Sequence, residues 1–259
     1  MVVPLSGSSN KLPRLKTSPA FGFITQSAPL DGKSPQFEWV TMNPEKAGGI
    51  VRIPSEIDAD SIVALGQFIA RYIAREMARW EDTVLFTADG TATYKLMSGV
   101  GKASITLGKS VLLSAGKTAP SDATLADFRA LRRQVSTAAL GMSAYYLNLT
   151  WENRLVSFNN NTNGQVYVPN GANGATLDGF PLRWVDVLPV YDTAANAGAI
   201  PIIFGAMEYQ ALGIRSGLAI DTSADVYFES DEIAIRALER LVIGRMADDA
   251  LAALKLADA

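Results

Sequence analysis

The sequence of 259 residues predicts an α+β fold organised around one long helix, and three patterns support this. Large apolar residues recur at steps of three or four over positions 62–84, which is the spacing of one helix face. Segments with strand-like alternation of apolar and polar residues precede and follow this stretch. The composition, with 48% hydrophobic and 19% charged residues, is typical of a folded globular protein.

The predicted helix runs from Asp60 to Phe86 and is about 40 Å long at ~1.5 Å per residue. Its apolar face consists of Ile62, Leu65, Ile69, Ile73, Met77, Trp80 and Val84. Because ordering the helix costs about as much free energy as burial of this face provides, we expect a sheet or helix to cover it. The opposite face consists of Gln67, Arg71, Arg75 and Arg79. A solvated face is favoured over a contact surface for this row.

Residues 1–20 predict an extended arm without a core of its own. They contain three prolines, several serines and three basic side chains, and no acidic residue. Such an arm is either a floppy tail or a segment that becomes ordered only on a neighbouring subunit. Its basic residues are Lys11, Arg14 and Lys16.

Residues 21–54 predict a long β-hairpin. Phe21, Phe23 and Thr25 alternate with smaller residues, a Pro- and Gly-containing turn follows at 28–35, and alternation resumes from Phe37 to Thr41. An isolated hairpin is marginally stable in water, so we expect this one to project from its domain and to dock elsewhere.

A lysine-rich segment at 91–120 contains the one motif that suggests a cofactor. Gly108-Lys109-Ser110 and Gly116-Lys117-Thr118 resemble the end of a phosphate-binding loop. That loop requires a glycine five residues before the Gly-Lys pair, where this chain has Ala103 and Val111. A nucleotide-dependent enzyme using Lys109 is therefore the less favoured alternative.

The chain has no cysteine and no histidine, which removes several kinds of catalytic and metal site. Serine–histidine triads, thiolate nucleophiles and histidine-ligated metals are all excluded. The adjacent acidic pairs Glu81-Asp82, Asp231-Glu232 and Asp248-Asp249 are interpreted as surface charge. We therefore expect no catalytic, cofactor-binding or metal-binding residues.

The second half of the chain predicts short elements of both types. The segments are a helix over 121–135, a strand over 145–149, a short helix over 151–158, a strand over 183–188, a buried strand over 200–204, strand-like stretches over 226–228 and 233–243, and a short apolar stretch over 249–256. Alternating short helices and strands of this kind are consistent with an α+β class.

Charge is distributed unevenly along the chain. Residues 178–259 carry six basic and thirteen acidic side chains, a net charge of −7, whereas residues 1–177 carry seventeen basic and thirteen acidic, a net charge of +4. This favours head-to-tail packing of identical subunits over neutralisation of nucleic acid by bulk positive charge. The sequence shows no secretory signal and no apolar run long enough to span a membrane.

The order of these landmarks resembles the major capsid protein family of tailed bacteriophages, which has the Hong Kong 97 (HK97) fold. The matching pieces are Asp31-Gly32 with Pro35 ahead of Phe37 and Val40, Val51 to Ser61, Asp89-Gly90, Tyr146-Leu147-Asn148 with Thr150 and Leu155, Leu177-Asp178-Gly179-Phe180-Pro181 with Pro189, Phe204-Gly205, Tyr209 with Arg215 and Gly217, and Phe228 to Arg240. Each piece is weak alone, and their common order carries the resemblance.

The resemblance implies an HK97-like architecture. Residues 1–20 would be the N-terminal arm, 21–54 the extended β-hairpin loop, and 55–143 the peripheral domain with its long spine helix. Residues 144–212 would form the axial domain, 213–245 the strands of the peripheral domain, and 246–259 a C-terminal return to the axial domain.

The implied function is a non-catalytic major capsid protein that forms hexamers and pentamers of an icosahedral shell around double-stranded DNA. Its partners would be its own copies, with portal, scaffolding and decoration proteins, in a virion assembled in the host cytoplasm. An encapsulin-type nanocompartment shell is the alternative within the fold, and the Pro-rich arm favours the phage protein. No N-terminal scaffolding segment is recognisable, so scaffolding is separate or the numbering starts after cleavage.

Contacts between subunits are expected from the arm, the hairpin turn and one strand face. The residues are Lys11, Arg14, Lys16, Asp31, Gly32, Lys33, Glu38 and Trp39. For Trp39, a place in the core of its own subunit is about as favoured as an interface. Some relatives crosslink a loop lysine to a late-strand asparagine with the help of a glutamate. The last two positions correspond to Asp231 and Leu238 here, so we expect no crosslink.

Overall fold

A computed structural model gives the fold and describes residues 1–17, 23, 34–56, 65–159, 164–171 and 174–258. The strands are β1 (Val2–Pro4), β2 (Asn10–Thr17), β3 (Gln36–Met42), β4 (Glu45–Pro54), β5 (Ser110–Leu112), β6 (Ala144–Leu147), β7 (Tyr167–Gly171), β8 (Gly174–Leu177), β9 (Phe180–Trp184), β10 (Ile202–Gly205), β11 (Gln210–Tyr227), β12 (Glu232–Arg245) and β13 (Leu251–Lys255). The helices are α1 (Leu65–Thr87), α2 (Val100–Thr106), α3 (Leu125–Arg132), α4 (Thr137–Leu140) and α5 (Glu152–Val156). The mixed α+β class is confirmed.

Helix α1 confirms the predicted long helix over its 23 described residues. The predicted start at Asp60 and the apolar residue Ile62 lie outside the described residues. Ile73 and Val84 are buried, whereas Trp80 is 37% exposed, so its assignment to the buried face was wrong. The helix ends as predicted before Asp89-Gly90, where Gly90 has a φ of 82° and the Asp89 carboxylate accepts a hydrogen bond from the Thr91 N–H at 2.9 Å.

A four-stranded sheet in the order β1-β11-β12-β4 covers the apolar side of α1. Antiparallel pairing places Ile53 opposite Ile233 and Val51 opposite Ile235, so the odd-numbered residues of both strands share one face. Ile73 of the helix packs with Ile53, Ile235 and Ala237 on that face. The helix therefore obtains the covering surface that it needs from strands far away in sequence.

The N-terminal segment is not an arm without a core, which corrects the sequence-based expectation. Strand β1 pairs in parallel with β11, the Met1 amino group donates to the Gln210 carbonyl at 2.8 Å, and Leu5 is buried beside Gly213. The backbone groups of β1 form hydrogen bonds, and the side chain of Leu5 is buried, within one subunit. Both effects favour the docked state of the N-terminal segment over a free one.

The predicted pairing of the hairpin was also wrong. Strand β3 pairs with β2, inside the segment assigned to the arm, while β4 pairs with β12. We call the β2–β3 pair the ribbon. The predicted partner strand around Phe21 and Thr25 lies outside the described residues.

A seven-stranded sheet in the order β5-β13-β10-β6-β9-β8-β7 forms the second body of the subunit. The largest buried side chains pack on it together with helices α3 and α5, and they include Tyr145, Phe128, Trp151 and Phe204. The Tyr145 ring lies 4.4 Å from that of Phe204, and its hydroxyl donates to the Phe128 carbonyl at 3.2 Å. This aromatic cluster forms the larger core of the chain.

Several predicted boundaries move for local reasons. The helix predicted from Ser121 begins at Leu125 because the Asp127 carboxylate accepts from both the N–H and the hydroxyl of Thr124, at 2.8 and 2.7 Å. The strand predicted over 183–188 is β9, which starts at Phe180. Asp178 and Gly179 both have positive φ, 51° and 85°, and so turn the chain tightly between β8 and β9.

Asp178 also anchors this turn to helix α3. Its carboxylate forms ion pairs with Arg129 at 3.1 Å and with Arg132 at 2.9 Å. The hydrogen bond from Arg129 and the charges of both arginines lower the pKa of Asp178, so the pairs persist well into the acidic range.

Gly205 at the end of β10 is required by the packing of the same sheet. Its φ is 142°, and a Cβ there would lie 2.2 Å from the Ala250 carbonyl oxygen. Any side chain would therefore force β10 and the start of β13 apart.

The Gly108-Lys109-Ser110 motif has the wrong order of elements for a phosphate-binding loop. Lys109 follows helix α2 and precedes strand β5, whereas the loop must follow a strand and precede a helix. The Lys109 N–H donates to the Ser104 carbonyl at 2.8 Å, and its carbonyl accepts from Ala253 at 3.1 Å. These backbone groups are used in joining α2 to β13, so they are not free to bind phosphate oxygens.

Arg245 joins the two sheets at the end of β12. Its guanidinium donates to the Ser104 hydroxyl at 2.8 Å, to the carbonyls of Ala247 and Asp248 at 3.0 and 3.1 Å, and to the Leu251 carbonyl. Burial lowers the pKa of Arg245 to about 10, so the side chain stays charged at neutral pH. Sequence patterns gave no sign of this role, because an arginine at a strand end is usually solvated.

We expect Arg245→Met to lower the free energy of unfolding by about 2–4 kcal/mol, because it leaves buried carbonyls of the β12–β13 turn without donors. Chemical denaturation measures the loss. Arg236→Met is the control: Arg236 is exposed and pairs with Asp221 at 2.9 Å on the surface, so its change should cost less than about 1 kcal/mol. Equal losses would show that Arg245 does not join the sheets.

Candidate assembly surface

The inner face of the ribbon holds it on its own subunit. Leu12 lies opposite Val40, and Asn10 lies opposite Met42, which is fully buried. A Cβ on Gly244 of β12 would lie 2.9 Å from Met42 and 3.2 Å from Val40, so the ribbon crosses β12 in direct contact. The packing fixes which face of the ribbon points away from the subunit.

The outer face of the ribbon is apolar and exposed. Directly opposed pairs are Leu15 with Phe37 and Pro13 with Trp39. Leu15, Phe37 and Trp39 are 50%, 61% and 59% exposed, respectively. Large aromatic residues grouped on one exposed face are typical of an interaction surface, because their burial provides most of the free energy of an interface.

The predicted contact residues divide between the two faces. Lys11 is exposed on the side of Trp39, and Lys16 is also exposed. Arg14 lies on the inner side, where it pairs with Glu38 at 2.9 Å and with Asp248 at 2.5 Å. These two bonds are within the subunit, and the hydrogen bond and charge of Arg14 lower the pKa of Glu38. Asp31, Gly32 and Lys33 lie outside the described residues.

A groove beside Trp39 extends the apolar surface. It lies between the ribbon, the segment around Leu96 and the end of β12, with Leu96 and Leu107 on its rim. Leu96 is 76% exposed and has a φ of 62°, which is unusual for a side chain of this size. Leu96 was missed in the sequence analysis because a single leucine between a lysine and a methionine does not indicate an exposed contact residue.

Glu81 is not surface charge, which corrects the interpretation of the Glu81-Asp82 pair. Its carboxyl group lies within hydrogen-bonding distance of Glu239, an odd-numbered residue of β12 that is 3% exposed. Burial, with the neighbouring carboxyl groups of Glu239 and Asp82, raises the pKa of Glu81 to about 7. Helix α1 and β12 therefore meet where the carboxyl group of Glu81 lies beside that of Glu239.

Two kinds of site are absent from the described part of the chain. Within the described ranges, no group of three or more Asp, Glu, His or Cys side chains could hold a metal ion. No helix in those ranges is both long enough and apolar enough to cross a bilayer. The main surface feature of the described residues is the exposed apolar face of the ribbon.

An exposed apolar ribbon on a rigid body of two sheets is typical of a protein that makes contacts with other protein surfaces. The model of the phage capsid family matches residues 1–256. The chain belongs to the phage capsid family, and it is a shell-forming capsid protein with an HK97-like fold.

Solved structures of capsids share this fold over nearly the whole chain. The capsid of an empty GTA particle is 16% identical with a TM-score of 0.75, over 99% of this chain and 87% of that one. The corresponding values are 16%, 0.71, 99% and 88% for Microbacterium phage Oxtober96. For Gordonia phage Cozz they are 14%, 0.72, 100% and 84%. No curated protein matches the chain in sequence.

Glu81→Gln should remove part of the pH dependence of stability. The folded-state pKa of Glu81 lies above its ordinary value of 4.5, so the wild-type subunit loses stability as the pH rises from about 4.5 through about 7. We expect this loss to be about 1–2 kcal/mol, because solvent screens the partly exposed group. Denaturant melts over this pH range measure it.

Glu76→Gln is the matched control on the same helix, since Glu76 pairs with exposed Arg75 at 3.5 Å. It should keep the wild-type pH profile. An unchanged profile in Glu81→Gln would show that the pKa of Glu81 is not raised in the folded subunit.

Proposed function

We propose that copies of the chain form hexamers and pentamers that close into an icosahedral shell around double-stranded DNA, without catalytic activity. The observation that carries this proposal is the outer face of the ribbon, where Leu15, Phe37 and Trp39 are at least half exposed on strands anchored by their inner face. An apolar face of this kind is stabilised only when another surface covers it.

The occupant of the ribbon surface in this proposal is a neighbouring copy. A contact between different patches of identical subunits either closes a ring or continues, and both are needed for a shell. The contact set keeps the arm residues Lys11, Arg14 and Lys16, the turn residues Asp31, Gly32 and Lys33, and the strand residues Glu38 and Trp39. For Arg14 and Glu38, such a contact would add to the ion pairs that they make within the subunit.

Residues 144–212 with 246–259, which supply six of the seven strands of the larger sheet, would form the axial domain at capsomer centres, and residues 55–143 with 213–245 would form the peripheral domain. Portal, scaffolding and decoration proteins would be further partners, and assembly would take place in the host cytoplasm. DNA would be held by enclosure, since the net charge of −3 does not favour neutralisation of its phosphates.

The double change Phe37→Ser/Trp39→Ser should lower the fraction of chain in fast-sedimenting particles at least about tenfold, because it removes the apolar anchors of the ribbon. The melting transition of the isolated subunit should stay unchanged, since both side chains are mostly exposed in it. Sedimentation velocity and thermal melts measure the two effects.

Val40→Ser is the control on the opposite face of the same strand. It should destabilise the subunit itself, because Val40 packs over Gly244. Normal particles from the Phe37→Ser/Trp39→Ser variant would contradict the proposed role of the ribbon.

A further inference from the structure

A second exposed groove lies on the face of the four-stranded sheet away from α1. It forms where β11 departs from regular pairing with β12, at the register shifts around Ser216. Leu238 and Ala219 are directly opposed and provide an apolar floor. Arg240 lies opposite both Lys46 and Ser216, so its side chain and that of Lys46 share the same rim.

The rim of this groove is cationic. Lys46, Arg215 and Arg240 line it, all three are exposed, and none forms an ion pair with any residue that the structure describes. Glu239 also borders the groove, but its carboxyl group meets that of Glu81 on the helix side. The groove therefore fits an apolar group that is flanked by carboxylates.

The tip of the β11–β12 hairpin has this chemistry. Phe228 and Val226 are 83% and 61% exposed, and the exposed carboxylates of Asp225 and Glu229 lie beside them in sequence. Asp231, which closes the turn with a φ of 51°, accepts a hydrogen bond from the Ser55 hydroxyl. The hydrogen bond from Ser55 thus stabilises the conformation of the turn.

The tip cannot fill the groove of its own subunit. The pairs Tyr227–Glu232 and Ala219–Leu238 lie on the same two strands, six residues apart along β12. At ~3.4 Å per residue this separation is about 20 Å along one rigid sheet. Among the residues that the structure describes, neither the apolar tip nor the cationic groove has a partner for its exposed groups.

We propose that the hairpin tip at 225–231 of one copy inserts Phe228 into the Leu238 groove of a second copy, with Asp225 and Glu229 paired to Lys46 and Arg240. This inference rests on the proposed shell, since it assigns one of the contacts between its subunits. The contact is head-to-tail, so each subunit gives one tip and receives another.

A charge swap tests the pairing in the full chain. The groove variant is Lys46→Glu/Arg240→Glu, the tip variant is Asp225→Lys/Glu229→Lys, and a third chain carries all four changes. Each two-site variant should lower the fraction in fast-sedimenting particles at least about tenfold, because like charges then face each other. The four-site chain should recover to within about threefold of wild type.

Lys102→Glu/Arg133→Glu is the matched control for the groove variant, with the same change in net charge at exposed positions outside the groove. It should assemble as wild type does. Thermal melts of all the variants should coincide, which separates a lost contact from a lost fold.

Phe228→Ala tests the apolar part of the contact independently. It should raise the protein concentration needed for half-assembly about tenfold without changing the subunit melt, since Phe228 is 83% exposed. Assembly should also become less sensitive to salt when Lys46, Arg240, Asp225 and Glu229 are all replaced by uncharged residues, because the charge pairs that salt screens are then absent.

The possible results separate this inference from the proposed function. If the wild-type chain formed no particles, the proposed shell itself would be ruled out. Normal assembly of either two-site variant, no recovery in the four-site chain, or a control that fails equally would overturn the tip–groove contact alone. Loss in the groove variant with a normal tip variant would show that another segment occupies the groove.

Discussion

The rest of the subunit depends on strand β12, which pairs with β11 and β4, packs against α1 and the ribbon, and reaches β13 through Arg245. Its odd-numbered residues support α1, its opposite face carries the ribbon over Gly244, and Arg245 at its end fixes the seven-stranded sheet. A guanidinium that donates to four oxygens in a buried site leaves little freedom of orientation. The ribbon and the hairpin tip are therefore presented at fixed positions relative to the larger core.

Rigid presentation matters because each exposed contact is modest. Burial of a large apolar side chain contributes about 1.5–3 kcal/mol, and these side chains are already partly covered. Ordering two partners in one contact costs several kcal/mol. Contacts held in place by a folded body avoid most of the further cost of ordering flexible segments, so repeated weak contacts are enough for assembly.

The long helix, its end at Asp89-Gly90 and the buried strand β10 could be predicted from sequence because each depends on local spacing or on a local turn residue. The pairing of β3 could not, since alternation shows that a segment is a strand without naming its partner. The contact between the carboxyl groups of Glu81 and Glu239 was also missed in the sequence analysis. These residues are 158 positions apart and meet only because α1 packs on β12.

The sequence by itself determined the α+β class, the long helix and the family resemblance, because periodicity and turn residues act over a few positions. Only the tertiary structure decided that the arm docks as β1, that Trp39 faces outward while Arg14 is paired within the subunit, and that Arg245 is buried. The physical reason is that burial and ion pairing depend on which distant strands become neighbours, and that choice is made by the packing of the whole chain.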